Sequence, residues 1–339
     1  MNDVKMSSTC GQSAWVFNMP AVNSKNLSAL AGKELKNSSE TERSAFYSGA
    51  LKNSTENIEW LVGITDGAGI FQFSKTNKGV WIFTFKIVQS KTNLRLLYYI
   101  KSMLCVGSVS ISNSNDNIAE FRIRKIHHII QYILPIFDKY PLLTSKHFNY
   151  KLFREAILIS ANTLISYEQR DKLITDIKIK SESGIPTDYI SPSWEIIDNI
   201  VNSVQDAMKV MSKSWVIGFT EVQGSFYLEI IESQVLKHIF EISQKLDDIV
   251  LKAILKILRV KFYINNTNYT VFVMDSKDIQ YIVKYFHKQL KGMKSLEYRI
   301  WARSFTKKRK DFKYLINIKN LMGNIRSIRL DREFKNKVL

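Results

Sequence analysis

Trp60-Leu61-Val62-Gly63-Ile64-Thr65-Asp66-Gly67-Ala68-Gly69-Ile70-Phe71 returns later in the chain as Trp215-Val216-Ile217-Gly218-Phe219-Thr220-Glu221-Val222-Gln223-Gly224-Ser225-Phe226. The offset, 155 residues from Trp60 to Trp215, also matches Val80 to Val235, Phe85 to Phe240, Ile87 to Ile242 and Gln89 to Gln244 without a gap. Unrelated segments rarely hold register over such a span, so the chain reads as a duplicated unit, and a repeat decides the architecture before any single element does. In each copy an apolar helix stops at a glycine and a β-hairpin follows directly.

The first of these helices is predicted from about residue 57 to Ala68, with Ser54 and Thr55 as capping candidates and Glu56 and Glu59 favourably placed in the first turn. Gly63 and Gly67 stand four apart, so one face carries no side chains. Each glycine costs about 1 kcal/mol against alanine in a helix. Because Gly218 repeats Gly63, the bare faces are read as the place where the two helices pack closely. The hairpin strand 70–75 alternates Phe71 and Phe73 against Ile70, Gln72 and Ser74, and its return strand alternates Phe83, Phe85 and Ile87 against Thr84 and Lys86. One face is apolar and the other short, polar and basic, as in a half-solvated antiparallel sheet or a ribbon laid in a nucleic-acid groove.

A core helix is expected over 93–103, then a second hairpin at 108–112 and 118–124 turned by Asn113–Asn117, with Arg122 and Arg124 leaving the sheet opposite the core. His127 and His128 open the next helix, without zinc-ligand spacing. Lys146, Tyr150 and Phe153 recur as Lys294, Tyr298 and Trp301, each set along one helical stripe. Residues 166–212 read as a linker ending in a helix over about 195–211. The second half then repeats the order: a helix at 213–223, strands at 225–231 and 236–244, a helix at 247–258, and a hairpin of strands 261–264 and 269–274. Glu229, Glu232 and Glu241 make the second sheet less basic than the first. The expected division is a leader at 1–55, repeats at 56–165 and 213–325 around the linker, and a basic tail at 326–339.

With 339 residues the chain has room for two units of ordinary domain size, and its net charge of +18 draws it to polyanions, nucleic acid first among them. No apolar run is long enough to span a bilayer, so a soluble protein without a membrane partner is expected. Two cysteines are too few for a disulfide framework. Cys105, in an apolar context, reads as a small core residue. Residues 1–55 lack a signal-peptide core, and the abundance of Asn, Lys and Ile suggests an organelle-encoded reading frame.

A helix that ends at glycine, followed by a hairpin and present twice, resembles the LAGLIDADG homing endonucleases over residues from about 56 to about 325. The resemblance implies an α+β fold of duplicated α-β-β-α-β-β-α units, whose two pseudo-twofold related antiparallel sheets form a nucleic-acid-binding saddle. It implies a monomer with an internal pseudo-dimer. In that family an acidic residue just before the closing glycine of each helix reaches a DNA phosphate through a divalent metal; here those positions are Ala68 and Gln223. Asp66 and Glu221 lie two residues earlier, roughly 200° away around a helix, and are expected to point elsewhere. Ala68 offers no ligand and Gln223 no charge, whereas a hard cation needs anionic oxygens. The expected function is therefore that of a cleavage-deficient group I intron RNA maturase, a splicing cofactor. The alternative is a site-specific endonuclease for double-stranded DNA, which alone would require Mg2+. Candidate nucleic-acid contacts are Gln72, Ser74, Lys86, Arg122, Arg124, Lys146, Ser225, Tyr227 and Lys294. The expected compartment is the mitochondrion, with the chloroplast as the alternative.

Overall fold

A computed structural model describes residues 54–112, 117–244, 246–260, 269–308 and 310–335. The leader to residue 53, the turn at 113–116, the expected strand 261–264, the side chains of 326–335 and residues 336–339 lie outside that description.

Helix α1, Thr55–Ala68, begins where the Ser54 hydroxyl accepts the Asn57 amide and ends at Gly69, which is extended and donates its N–H to Thr65 O. Its repeat α8, Lys213–Gln223, is capped in the same way by Ser212 and ends at Gly224. The two helices cross at their bare faces. A Cβ on Gly63 would lie 2.1 Å from Trp215 O, and one on Gly218 would lie 2.0 Å from Trp60 O.

Each helix feeds a hairpin. In the first half these strands are β1 (Gly69–Lys75) and β2 (Trp81–Ser90), followed by a short 3-10 turn at Lys91–Asn93, helix α2 (Leu94–Leu104), and strands β3 (Ser108–Ile111) and β4 (Ile118–Ile123). They form an antiparallel sheet in the order β1-β2-β4-β3. In the second half, β5 (Gly224–Glu232), β6 (Val235–Gln244) and β7 (Tyr269–Val273) pair in the order β5-β6-β7, with helix α9 (Asp248–Leu258) between the last two.

Helices cover one face of each sheet. Helices α3 (Ile126–His128) and α4 (Leu134–Lys139), joined by a π-helical turn, precede α5 (Lys146–Ala161); helix α10 (Ser276–Tyr285) precedes α11 (Lys294–Lys308). The repeat extends to the packing. Phe71 meets Phe85, Phe137, Tyr150 and Phe153 at ring separations of 5.2 to 5.5 Å, and Phe226 meets Phe240, Phe286, Tyr298 and Trp301 at 5.1 to 5.7 Å. The stripe of Tyr150 and Phe153, like that of Tyr298 and Trp301, is therefore core.

The connection is more structured than its composition suggests. Helix α6, Tyr167–Glu182, packs back on α5 and the first hairpin: Asp171 accepts from Lys75 Nζ at 2.7 Å and Trp81 Nε1 at 2.9 Å, and Tyr167 donates to Gly79 O. The single helix expected over 195–211 is instead a 3-10 turn at Pro192–Ile197 and helix α7 at Val204–Val210. Asp198 and Asn199 break it by adopting left-handed φ of 53° and 57°, which short polar side chains tolerate best, and a Ser203–Asp206 capping box restarts it. Cys105 is also corrected, since it is exposed at the left-handed C-cap of α2. The last helix, α12 (Phe312–Lys335), packs on α11, β5 and β6 and reaches the turn at Lys91–Asn93 in the first half. Among the described residues no helix is long and apolar enough to cross a membrane.

Candidate nucleic-acid interface and helix junction

The C-terminal ends of α1 and α8 meet between the two sheets. Gly67 faces the Val222 side chain, and Gln223 Nε2 donates to Gly67 O at 2.8 Å, so Gln223 crosses to the other helix at its last turn. Ala68 is half-buried and packs against the core.

Asp66 and Glu221 point away from this junction, as their position on the helix requires. Asp66 is fully buried and accepts from Leu143 N at 3.0 Å, Thr144 N at 3.1 Å, Thr144 Oγ1 at 2.6 Å and Trp215 Nε1 at 2.8 Å. Glu221 is equally buried and accepts from the backbone amides of Lys291 and Gly292. Each acid thus ties its motif helix to the loop that leads into α5 or α11. The opposite half holds the same loop: Asp247 accepts from Ser145 N at 2.6 Å, and Asn93 accepts from Met293 N at 2.8 Å. Lys291 extends the second latch, its Nζ bonded to Asn57 Oδ1 and lying 4.3 Å from the Trp60 ring centroid and 4.8 Å from that of Tyr99. Sequence reading missed Asn93 and Asp247. Their only signal was that each follows a repeated glutamine, Gln89 or Gln244, by three or four residues.

Burial pushes the Asp66 carboxyl up to about 6, against the pull of its hydrogen bonds from Thr144, Leu143 and Trp215. The folded chain then holds this proton more tightly than the unfolded chain between about pH 4 and 6, so the contribution of Asp66 to stability falls as pH rises through that window. The stability difference between the wild type and Asp66→Asn is expected to move by about 2 kcal/mol in favour of the wild type on going from pH 7 to 4, read from urea denaturation at several pH values. His128 and His238, pushed down to about 4 by burial, titrate there with opposite sign in both proteins and cancel in the difference. A pH-independent difference excludes this reading.

The loops so latched carry Lys146 and Lys294 to the helix ends. Lys146 Nζ lies 3.4 Å from Thr65 O and Lys294 Nζ donates to Gly224 O, so both ammonium groups sit beside the junction. Burial pushes Lys146 down to about 8, with Asp66 and Asp247 opposing.

On the faces turned away from the helices, register lines up the remaining candidates. Ile70, Lys86, Arg122 and Ser108 form one row across the first sheet, and Gln72 pairs with Thr84. Gln72, Ser74 and Arg124 are exposed. Glu120, not singled out from sequence, shares this face: its carboxylate lies 3.0 Å from Arg122 Nη1 and 4.0 Å from Lys86 Nζ. The alternation of Ile118, Glu120 and Arg122 made it legible. On the second sheet Ser225 pairs with Glu241, and Tyr227 OH donates to Glu241 Oε2 at 2.8 Å. Among the described residues no cluster of three or more His, Cys, Asp or Glu is arranged to hold a metal ion.

The family model described as LAGLIDADG endonuclease matches residues 61–157 and 216–305, the two repeats. A Schizosaccharomyces pombe protein described as probable intron-encoded endonuclease Cox1-I1b is 33% identical over 282 residues, 79% of this chain and 69% of its own length. The Saccharomyces cerevisiae mitochondrial protein RF1 is 28% identical over 168 residues, 50% of this chain but 32% of its own length. Among solved structures, that of I-SmaMI bound to an uncleaved DNA target in the presence of calcium ions matches with a TM-score of 0.64 at 22% identity, over 79% of this chain and 99% of that one. With both repeats matched and more than half of its length covered, this chain belongs to the LAGLIDADG endonuclease family.

Proposed function

We propose that this protein binds nucleic acid along the outward faces of its two sheets without cutting it, and serves as a group I intron RNA maturase, a splicing cofactor. The observation that carries the reading is the junction. Ala68 has no ligand atom, and the Gln223 amide is engaged with the Gly67 carbonyl. The acids two residues earlier on each helix, Asp66 and Glu221, are buried and turned into N–H donors. A hard divalent cation of the kind this family uses requires several oxygen ligands, anionic ones for tight binding. The donor set does not fit such an ion.

Double-stranded DNA is a partner of the same faces in this reading. Support comes from Lys86 and Arg122 in register and the exposed Arg124, from the polar Gln72, Ser74, Ser225 and Tyr227, and from Lys146 and Lys294 beside the helix ends. The relative I-SmaMI holds a DNA target. The net charge of +18 favours a polyanion in either case. One chain carries both halves, so a monomer suffices. That some relatives are named as intron-encoded and another as mitochondrial supports a gene lying in a mitochondrial intron.

The rival, a Mg2+-dependent double-strand endonuclease, is favoured by the description of the Schizosaccharomyces pombe relative. Two assays separate the readings. Purified protein with the uninterrupted gene duplex in magnesium is expected to leave both strands intact, and the same protein is expected to raise splicing of its intron where magnesium is too dilute for self-splicing. Nicking of the duplex, or splicing unchanged by protein, overturns the proposal.

A further inference from the structure

The two outward faces differ in the balance of hydrogen-bond donors and acceptors. On the first sheet the one described carboxylate, Glu120, is held at 3.0 Å by Arg122 Nη1, which still leaves the guanidinium further N–H donors. Lys86 stands beside Arg122 in register, and Arg124 is exposed past the end of β4. That face donates. On the second sheet the corresponding strands present Glu229, exposed and paired in register with Lys237, and Glu241, paired with Ser225. Burial and the Glu241 carboxylate push the Tyr227 phenol up, so its O–H remains a donor fixed on Glu241 Oε2 and leaves Oε1 to accept elsewhere.

An acidic group on a surface that meets DNA repels phosphates at every sequence. It is favourable only where a base edge donates to it. In the major groove guanine shows two acceptors, and adenine sets its N6 donor beside the N7 acceptor, whose lone pair opposes a carboxylate. Cytosine shows the N4 amino donor with no acceptor on the same base. A deep, narrow RNA major groove admits no such contact, so the surface suits B-form duplex.

We propose that the first sheet anchors the duplex and the second selects it: Glu241, positioned by Tyr227, accepts the exocyclic amino group of a cytosine in the half-site lying over β5, β6 and β7, with Glu229 as a further acceptor on that face. This rests on the duplex-binding part of the function proposed above.

The test is enrichment of bound sequences from a random duplex library by the full-length protein and by Glu241→Gln, an isosteric change checked by thermal melting. The wild type is expected to enrich a site with an invariant cytosine in one half that Glu241→Gln no longer demands, while the preference in the other half is unchanged. On the enriched duplex, changing that cytosine to thymine is expected to weaken the wild type about tenfold and Glu241→Gln little. On unselected duplex Glu241→Gln is expected to bind more tightly than the wild type, because a charge facing phosphate is gone. A second measurement leaves the protein unchanged: N4-methylcytosine at the enriched position is expected to weaken wild-type binding. If a site is enriched but is the same for both proteins, or if N4-methylation has no effect, the cytosine assignment is wrong and duplex binding stands. If no sequence is enriched, the cytosine assignment falls, and duplex binding falls with it only if the unselected duplex is not bound either.

Discussion

Gly218→Ala and Gly63→Ala are each expected to lower the stability of the folded chain by about 3 kcal/mol or more, and the valine variants to leave little folded protein. Alanine normally gains about 1 kcal/mol over glycine inside a helix, so the expected sign runs against intrinsic propensity. Contact geometry decides it. A Cβ on residue 218 would meet Trp60 O at 2.0 Å, Trp60 C at 2.9 Å and Ile64 N at 3.1 Å, and one on residue 63 would meet Trp215 O at 2.1 Å and Phe219 N at 2.9 Å. All of these are backbone atoms in a helix, which no rotamer change can clear. The helices have to part by more than about 1 Å, unpacking the buried Trp60, Ile64, Trp215 and Phe219 on both sides, and overpacking of a close-packed core typically costs 1 to 3 kcal/mol, occasionally more. Two comparisons isolate the cause. At Gly67 the added atom meets Val222 Cγ2, the end of a side chain, so Gly67→Ala is expected to cost less; at Gly323 on α12 it meets nothing within 4 Å, so Gly323→Ala is expected to be neutral or stabilising. Urea denaturation of the four alanine variants checks the ranking, and a Gly218→Ala chain as stable as Gly323→Ala refutes the packing of α1 against α8.

Much of this arrangement was legible because the duplication writes the same instruction twice. Gly63 and Gly218 stand at one offset, and bare positions recurring at one offset in two helices imply contact between them. The hairpins were legible because Phe71, Phe73, Phe83 and Phe85 alternate with polar neighbours, a period that only a strand gives. The direction of Asp66 followed from helical rotation alone. What it reaches did not. Leu143, Thr144 and Trp215 lie 77, 78 and 149 residues from Asp66, and nothing local in the chain marks them as donors. The latches of Asn93 on Met293 and Asp247 on Ser145 were illegible for the same reason, since each joins opposite halves. The break at Asp198 and Asn199 was overlooked because the apolar period runs on past it, and only left-handed backbone at two short polar residues interrupts the helix. Glu120 was visible in the alternation, two residues before Arg122, and its ion pair with Arg122 was not, because the strand period fixes the face of a side chain and not its partner.

Ala68→Asp combined with Gln223→Glu is expected to nick duplex DNA in magnesium at a rate at least about a thousandfold above the parent, while neither single variant does so. The reasons lie in the donor set. Gln223→Glu alone sets a carboxylate oxygen where an amide now donates to Gly67 O at 2.8 Å, so the acceptor pair repels and the new side chain has no partner across the junction. Ala68→Asp alone adds a single anion beside a neutral amide. Together they bring two anionic side chains to the ends of two helices whose last turns already touch, the minimum that makes the junction attractive to a hard cation. Asp66 and Glu221 contribute nothing to this, since they are buried on the far sides of their helices and hold the loops before α5 and α11. A readout independent of cleavage follows from like-charge repulsion. Without metal the double variant is expected to melt below the parent, and added magnesium is expected to raise its melting temperature while leaving the parent unmoved, because only a cation bound to the folded form shifts that equilibrium. A parent stabilised by magnesium to the same extent, or a double variant that neither binds magnesium nor nicks DNA, removes Ala68 and Gln223 as the positions at which cleavage was lost.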